Sequence, residues 1–133
     1  MEVEDVRKWL EDLLRNLMGY DTHVLYEARL HLVGVVADLY THHIPLAIKY
    51  KDMTLLKAHY ELLFASYLFD QAYTYKTLKK EIPKDVIGLL VEYFTSVYSP
   101  KEYQDKMIKV GNEIENALKE AIEYIAWKKQ FKG

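Results

Sequence analysis

A chain of 133 residues that is 50% hydrophobic is large and apolar enough for one domain with its own core, which excludes intrinsic disorder. Eighteen Lys and Arg face twenty Asp and Glu for a formal charge of −2, too balanced for a broad duplex-DNA platform. The absence of cysteine excludes disulfides, Cys-ligated zinc, iron–sulfur clusters and thiol nucleophiles, leaving His, Asp and Glu as metal ligands. The N-terminal Met1, Glu2, Val3, Glu4, Asp5 is acidic where a signal peptide is basic and then apolar. No apolar run reaches the roughly 18 residues of a membrane span, so a soluble, cytoplasmic protein is expected. Abundant Lys, Glu and Tyr beside scarce Asn and Gln resemble the composition of proteins from hot environments.

Apolar residues recur at steps of three and four throughout, and Asn-Gly and Asp-Gly hairpin signals are absent. The expectation is an all-α, up-and-down bundle of about five helices, over residues 3–18, 22–42, 53–80, 84–98 and 100–130. In the first helix Val6, Trp9 or Leu10, Leu13 and Leu17 form the apolar stripe, and Gly19 ends it. Asp21 or Thr22 caps the second helix, which must end before Pro45. Pro45 to Tyr50 is expected to form a turn of helix. Asp52 is the expected cap of the third long helix, and Pro83 separates it from the fourth, with Val86, Leu89 or Leu90, Tyr93 and Val97 on one side. Ser99, Pro100, Lys101 and Glu102 read as a capping box opening the last helix, which carries Tyr103, Met107, Val110, Ile114, Ala117, Ala121 and Ile125 inward.

The second helix holds the most informative pattern. At about 100° per residue, His23, Glu27, His31, Asp38 and His42 fall in one arc about 100° wide, together with Gly34. Nearly everything outside that arc is apolar, with Arg29 the exception. The arc reads either as the solvent stripe of a mostly buried helix or as an inward polar seam. On the third long helix His59, Ser66 and Asp70 share a side, while Lys57, Glu61 and Lys79 mark the expected solvent side. An antiparallel turn centred near Ile48 would set Asp38 against His59, His31 against Ser66, and Glu27 against Asp70.

Three uses of such a seam compete. It is a polar network fixing helix register, a metal site, or an acid–base dyad. For a metal, His23, Glu27 and His31 stand one turn apart, with His59 and Asp70 available from the neighbouring helix, a donor set suited to zinc, iron or manganese. For acid–base work Asp38 would orient His59. Ferritin-like bundles need Glu-x-x-His, which this chain lacks, and the His-x-x-x-His and His-x-x-x-x-Asp elements of hemerythrin-like bundles are missing. His42 and His43 are expected to complement the negative end of the second helix.

Lys76, Lys79, Lys80 and Lys84 form one basic cluster, and Lys128 and Lys129 beside Trp127 another. Both read as solvated helix ends or as nucleic-acid contacts. Size and a long terminal helix resemble, in architecture alone, the small helical ribonucleases of the HEPN type. Their Arg-to-His signature spacing is shorter than the Arg15 to His23 interval here.

The leading expectation is a non-enzymatic protein–protein interaction or assembly module, self-associating as a homodimer and needing no cofactor. Its basis is long helices whose wide apolar faces exceed what one small bundle covers. The alternatives are a metal-dependent or acid–base enzyme with its site between the second and third long helices, and an RNA-directed nuclease or nucleic-acid-binding accessory factor.

Overall fold

The computed structural model describes residues 1–42, 44–51 and 59–132, and these form helices joined by short turns, with no strand. The elements are α1 (Val3–Leu17), α2 (Thr22–His42), a short α3 (Ile44–Tyr50), α4 (Tyr60–Leu78), α5 (Lys84–Val97) and α6 (Tyr103–Lys132). The expected opening of the third long helix at Asp52 and Met53, and the expected cap at His43, lie outside the described residues. Among the described residues no helix is long and apolar enough to cross a membrane.

Local chemistry accounts for the helix starts. The Glu2 N–H donates to Asp5 Oδ2 at 2.8 Å, occupying an amide that the helix leaves unpaired at its N-terminus. Asp21 caps α2 by accepting from the His23 N–H at 2.8 Å. The Ser99 to Glu102 box departs from expectation in one respect. The Ser99 N–H and Oγ–H both donate to Glu102 Oε1, while the Glu102 N–H donates to the Ser99 carbonyl. That i to i+3 bond closes a turn over Pro100 to Glu102, so α6 begins at Tyr103.

α2, α4 and α6 pack on one another, and α1 lies against α5 and α4. The core is continuous: Val6, Leu10, Leu14 and Leu17 of α1 meet Leu25, Ala28 and Leu32 of α2 and Phe64, Leu68 and Phe69 of α4. Trp9, Phe64 and Phe94 form an aromatic knot with centroids 5.3 to 6.4 Å apart. Such contacts add roughly 0.5–1.5 kcal/mol per pair beyond area burial. In α5 the buried residues are Leu90, Val91 and Phe94, whereas Leu89 and Tyr93 are exposed. This helix is apolar on two sides, and spacing alone does not say which side packs.

Candidate functional site

α2 carries two apolar faces. Leu25, Ala28 and Leu32 point into the core, and about a third of a turn away Tyr26, Leu30, Val33, Ala37 and Tyr40 form a second, outward stripe. These five are spaced 4, 3, 4, 3, the step pattern of a coiled-coil seam. All are exposed: Tyr26 by 39%, Leu30 by 45%, Val33 by 47% and Tyr40 by 50%. Leu46, Ile48 and Tyr50 of α3 are exposed as well. Gly34 stands on the flank of the stripe, and a Cβ built there meets nothing within 4 Å.

α4 runs antiparallel alongside and supplies the neighbours of the stripe. The Tyr26 and Tyr73 rings are 5.6 Å apart, and Arg29 Nε lies 2.5 Å from Asp70 Oδ1 with its guanidinium 5.6 Å from the Tyr73 ring. Tyr67 packs at 6.3 Å from Tyr93 of α5. Burial raises the Tyr67 pKa above its ordinary value, aided by Tyr40, Tyr93 and Asp70 nearby. The Tyr60 hydroxyl donates to the Tyr93 carbonyl at 3.2 Å, and burial, with Tyr67 and Tyr93 beside it, pushes its pKa up to about 12.

A second polar feature lies inside, between α4 and α6. Glu61, expected on the solvent side, is only 6% exposed and accepts from Lys106 Nζ at 3.1 Å. The Lys106 ammonium also sits 5.3 Å from the Tyr98 ring. Burial, then the charge and hydrogen bond of Glu61, hold the Tyr98 phenol well above its ordinary pKa. The partner that draws Glu61 inward is thus 45 positions away in the chain, beyond the reach of helical periodicity. Beside this pair a cavity of about 360 Å³ is lined by His59, Leu62, Lys109, Asn112 and Glu113 as well as Glu61. Burial raises the Glu113 pKa, the Glu61 charge raises it further, and His31 opposes the rise.

The sequence candidates separate accordingly. His23, His31, Asp38 and His42 are exposed and Glu27 is half-buried, so the polar arc of α2 faces largely outward. Asp38 lies 3.4 Å from His42 one turn on, while His59 lines the cavity with Glu61 and Glu113. Asp70 is engaged by Arg29 instead of standing opposite Glu27, a register two residues from the expected one. Ser66 is buried and donates to the Leu63 carbonyl of its own helix. Among the described residues no three His, Asp or Glu side chains form a group that could hold a metal ion.

The basic clusters also differ from one another. Lys76 donates to the Tyr20 carbonyl, and Lys79, Lys80 and Lys84 are exposed. Lys129 is exposed and Lys128 half-buried beside an aromatic ladder, with Tyr124 and Trp127 6.0 Å apart and Trp127 and Phe131 4.8 Å apart.

Arg29, Glu61, Tyr98 and Lys106 were not among the sequence candidates. Arg29 alone left a signal, as the charged interruption of an otherwise apolar surface. No known protein family matches this chain, and no curated protein or solved structure does either.

Proposed function

We propose that this protein is a self-associating helical assembly module, pairing through the outward stripe of α2 with a second copy of itself about a twofold axis. The observation that carries this reading is the exposed 4, 3, 4, 3 stripe from Tyr26 to Tyr40. Its residues suit an antiparallel copy. With Val33 at the axis, Tyr26 of one chain faces Tyr40 of the other, and Leu30 comes within one residue of small Ala37.

Two further features support a second copy as the occupant. Four large side chains about half exposed, together with those of α3, offer on the order of several hundred Å² of apolar surface per chain, the scale of a standard dimer interface. Gly34 lies next to that axis, and among the described residues nothing lies within 4 Å of a Cβ built there. A mid-helix glycine costs roughly 0.5–1 kcal/mol relative to alanine, and close approach of two α2 backbones supplies a use for it.

The experiment is sedimentation equilibrium of the full chain, with Leu30→Glu/Val33→Glu as the comparison. The expected result is a mass twice 15.8 kDa for the native chain. The double variant is expected to be monomeric with unchanged helical circular dichroism, because both positions are exposed in the protomer. A native chain that remains monomeric at about 100 μM, well above the Kd of a standard interface, overturns the reading.

A further inference from the structure

At the opposite side of α4, its C-terminus, the connection to α5 and the flank of α1 enclose a cleft of about 770 Å³. Six cations line it: Arg7 and Arg15 from α1, Lys76 from α4, Lys79 and Lys80 from the turn, and Lys84 at the start of α5. Two carboxylates, Glu11 and Glu81, offset part of that charge. This local excess stands within a chain whose formal charge is −2.

The cations are not equally available. Arg7 is 4.0 Å from Glu4, Arg15 is 3.1 Å from Asp12, and Lys76 is held by the Tyr20 carbonyl. Lys79, Lys80 and Lys84 have no acidic partner among the described residues and cluster around a single turn. Their backbone is fixed. The Lys79 N–H donates to the Lys76 carbonyl at 3.1 Å and the Lys80 N–H to the Tyr75 carbonyl at 3.0 Å, and Lys79 holds a left-handed φ of 57° where glycine is usual. Apolar side chains line the cleft as well: Leu14, Met18, Ile82 and Ile87, together with the ring of Tyr75.

A cleft lined both by three ammonium groups with no acidic partner among the described residues and by apolar, ring-bearing side chains suits a ligand that combines an anionic part with a flat one. Its size is that of a small-molecule site, roughly 300–1,000 Å³. We infer that this cleft binds a phosphorylated nucleoside, with its phosphates on Lys79, Lys80 and Lys84 and its base against Tyr75, Ile82 and Ile87. The same chemistry is offered by a free nucleoside diphosphate and by the 5′ end of a single-stranded RNA. The inference is independent of self-association, because the cleft and the outward stripe of α2 share no residue.

The test is calorimetric titration of the full chain with ADP, adenosine, inorganic pyrophosphate and a 5′-phosphorylated pentaribonucleotide, at low and at moderate salt. ADP or the oligonucleotide is expected to bind one per chain, about tenfold or more tighter than pyrophosphate or adenosine, and to weaken as salt rises. Tighter binding by ADP identifies a free nucleotide as the ligand, and tighter binding by the oligonucleotide identifies an RNA end. Lys79→Glu/Lys80→Glu is expected to abolish binding. Lys84→Gln, a single exposed change that leaves the fold intact, is expected to weaken it about tenfold or less, one charge-assisted contact being lost. The inference is overturned if neither phosphorylated nucleoside binds below about 1 mM. It is also overturned if adenosine or pyrophosphate alone binds as tightly as ADP, or if both lysine variants bind like the native chain.

Discussion

The outward face of α2 and the seam between α4 and α6 distribute polarity in opposite ways. On α2, Leu30, Val33 and Tyr40 stand in solvent, whereas between α4 and α6 the carboxylate of Glu61 and the ammonium of Lys106 are both largely buried. At these two places burial follows the available partners and not the residue type. Glu61 tolerates desolvation because Lys106 pairs with its Oε1, and a lone carboxylate there would cost several kcal/mol. Along the stripe of α2, Tyr26 meets Tyr73 of α4, while among the described residues Leu30, Val33 and Tyr40 remain about half exposed. Under the proposed self-association a second chain would cover this apolar surface, and contiguous exposed patches of that kind are what interaction sites use.

The largest expected effect comes from breaking the inner half of this contrast. Lys106→Met leaves Glu61 buried without its cation and is expected to cost about 3–5 kcal/mol, read from urea unfolding followed by circular dichroism. Glu61→Leu/Lys106→Met removes both charges and is expected to regain most of that loss. A single variant costing under about 1 kcal/mol would mean that water reaches the pair, and that the seam is an ordinary surface ion pair.

A smaller and opposite effect is expected at Gly34. Gly34→Ala adds a methyl group into open space, so the protomer should gain roughly 0.5–1 kcal/mol from helix propensity. If two α2 helices meet there, the same change should weaken self-association. Unfolding measured at low concentration and sedimentation at high concentration separate the two. A gain in stability with no change in association would place Gly34 away from the contact and shift the axis along the stripe.

How much of this was legible in the sequence depends on the length scale of the interaction. The inward positions Val6 and Leu17 of α1 and Val110, Ile114, Ala117 and Ala121 of α6 follow from steps of three and four, whereas the choice of Leu10 over Trp9 was left open and Leu14 is buried where Leu13 was expected. The same reasoning does not resolve α5, where Leu89 and Leu90 sit side by side and only packing decides that Leu90 is buried. It also misplaces Glu61, because helical angles in the sequence group it with lysines while its true partner lies in another helix. The polar arc of α2 was visible, but its direction was not. Both sides adjoining the arc are apolar, so the sequence allowed it to face either a neighbour or solvent. Register between α2 and α4 came within two residues, and that small slip exchanges Glu27 for Arg29 opposite Asp70, turning a pair of carboxylates into an ion pair.

The smallest expected effect concerns Glu113, which borders the inner cluster without belonging to the Glu61 and Lys106 pair. Burial and the Glu61 charge raise its pKa above the ordinary 4.5 in the folded chain. The folded state therefore binds this proton more tightly than the unfolded chain does. Its contribution is fully present below the ordinary carboxylate range and is lost as pH rises through the raised value. From the ordinary carboxylate range up through the raised value this group alone makes stability fall with rising pH, against the usual trend of carboxylates that are favourably paired. Glu113→Gln holds the site neutral throughout and is expected to remove that component, so the variant should gain on the native chain as pH increases across the window. The measurement is urea unfolding at several pH values on both proteins. A difference between them that does not change with pH would show that Glu113 is hydrated at the cavity mouth, and that the low-polarity environment of the seam ends at Glu61.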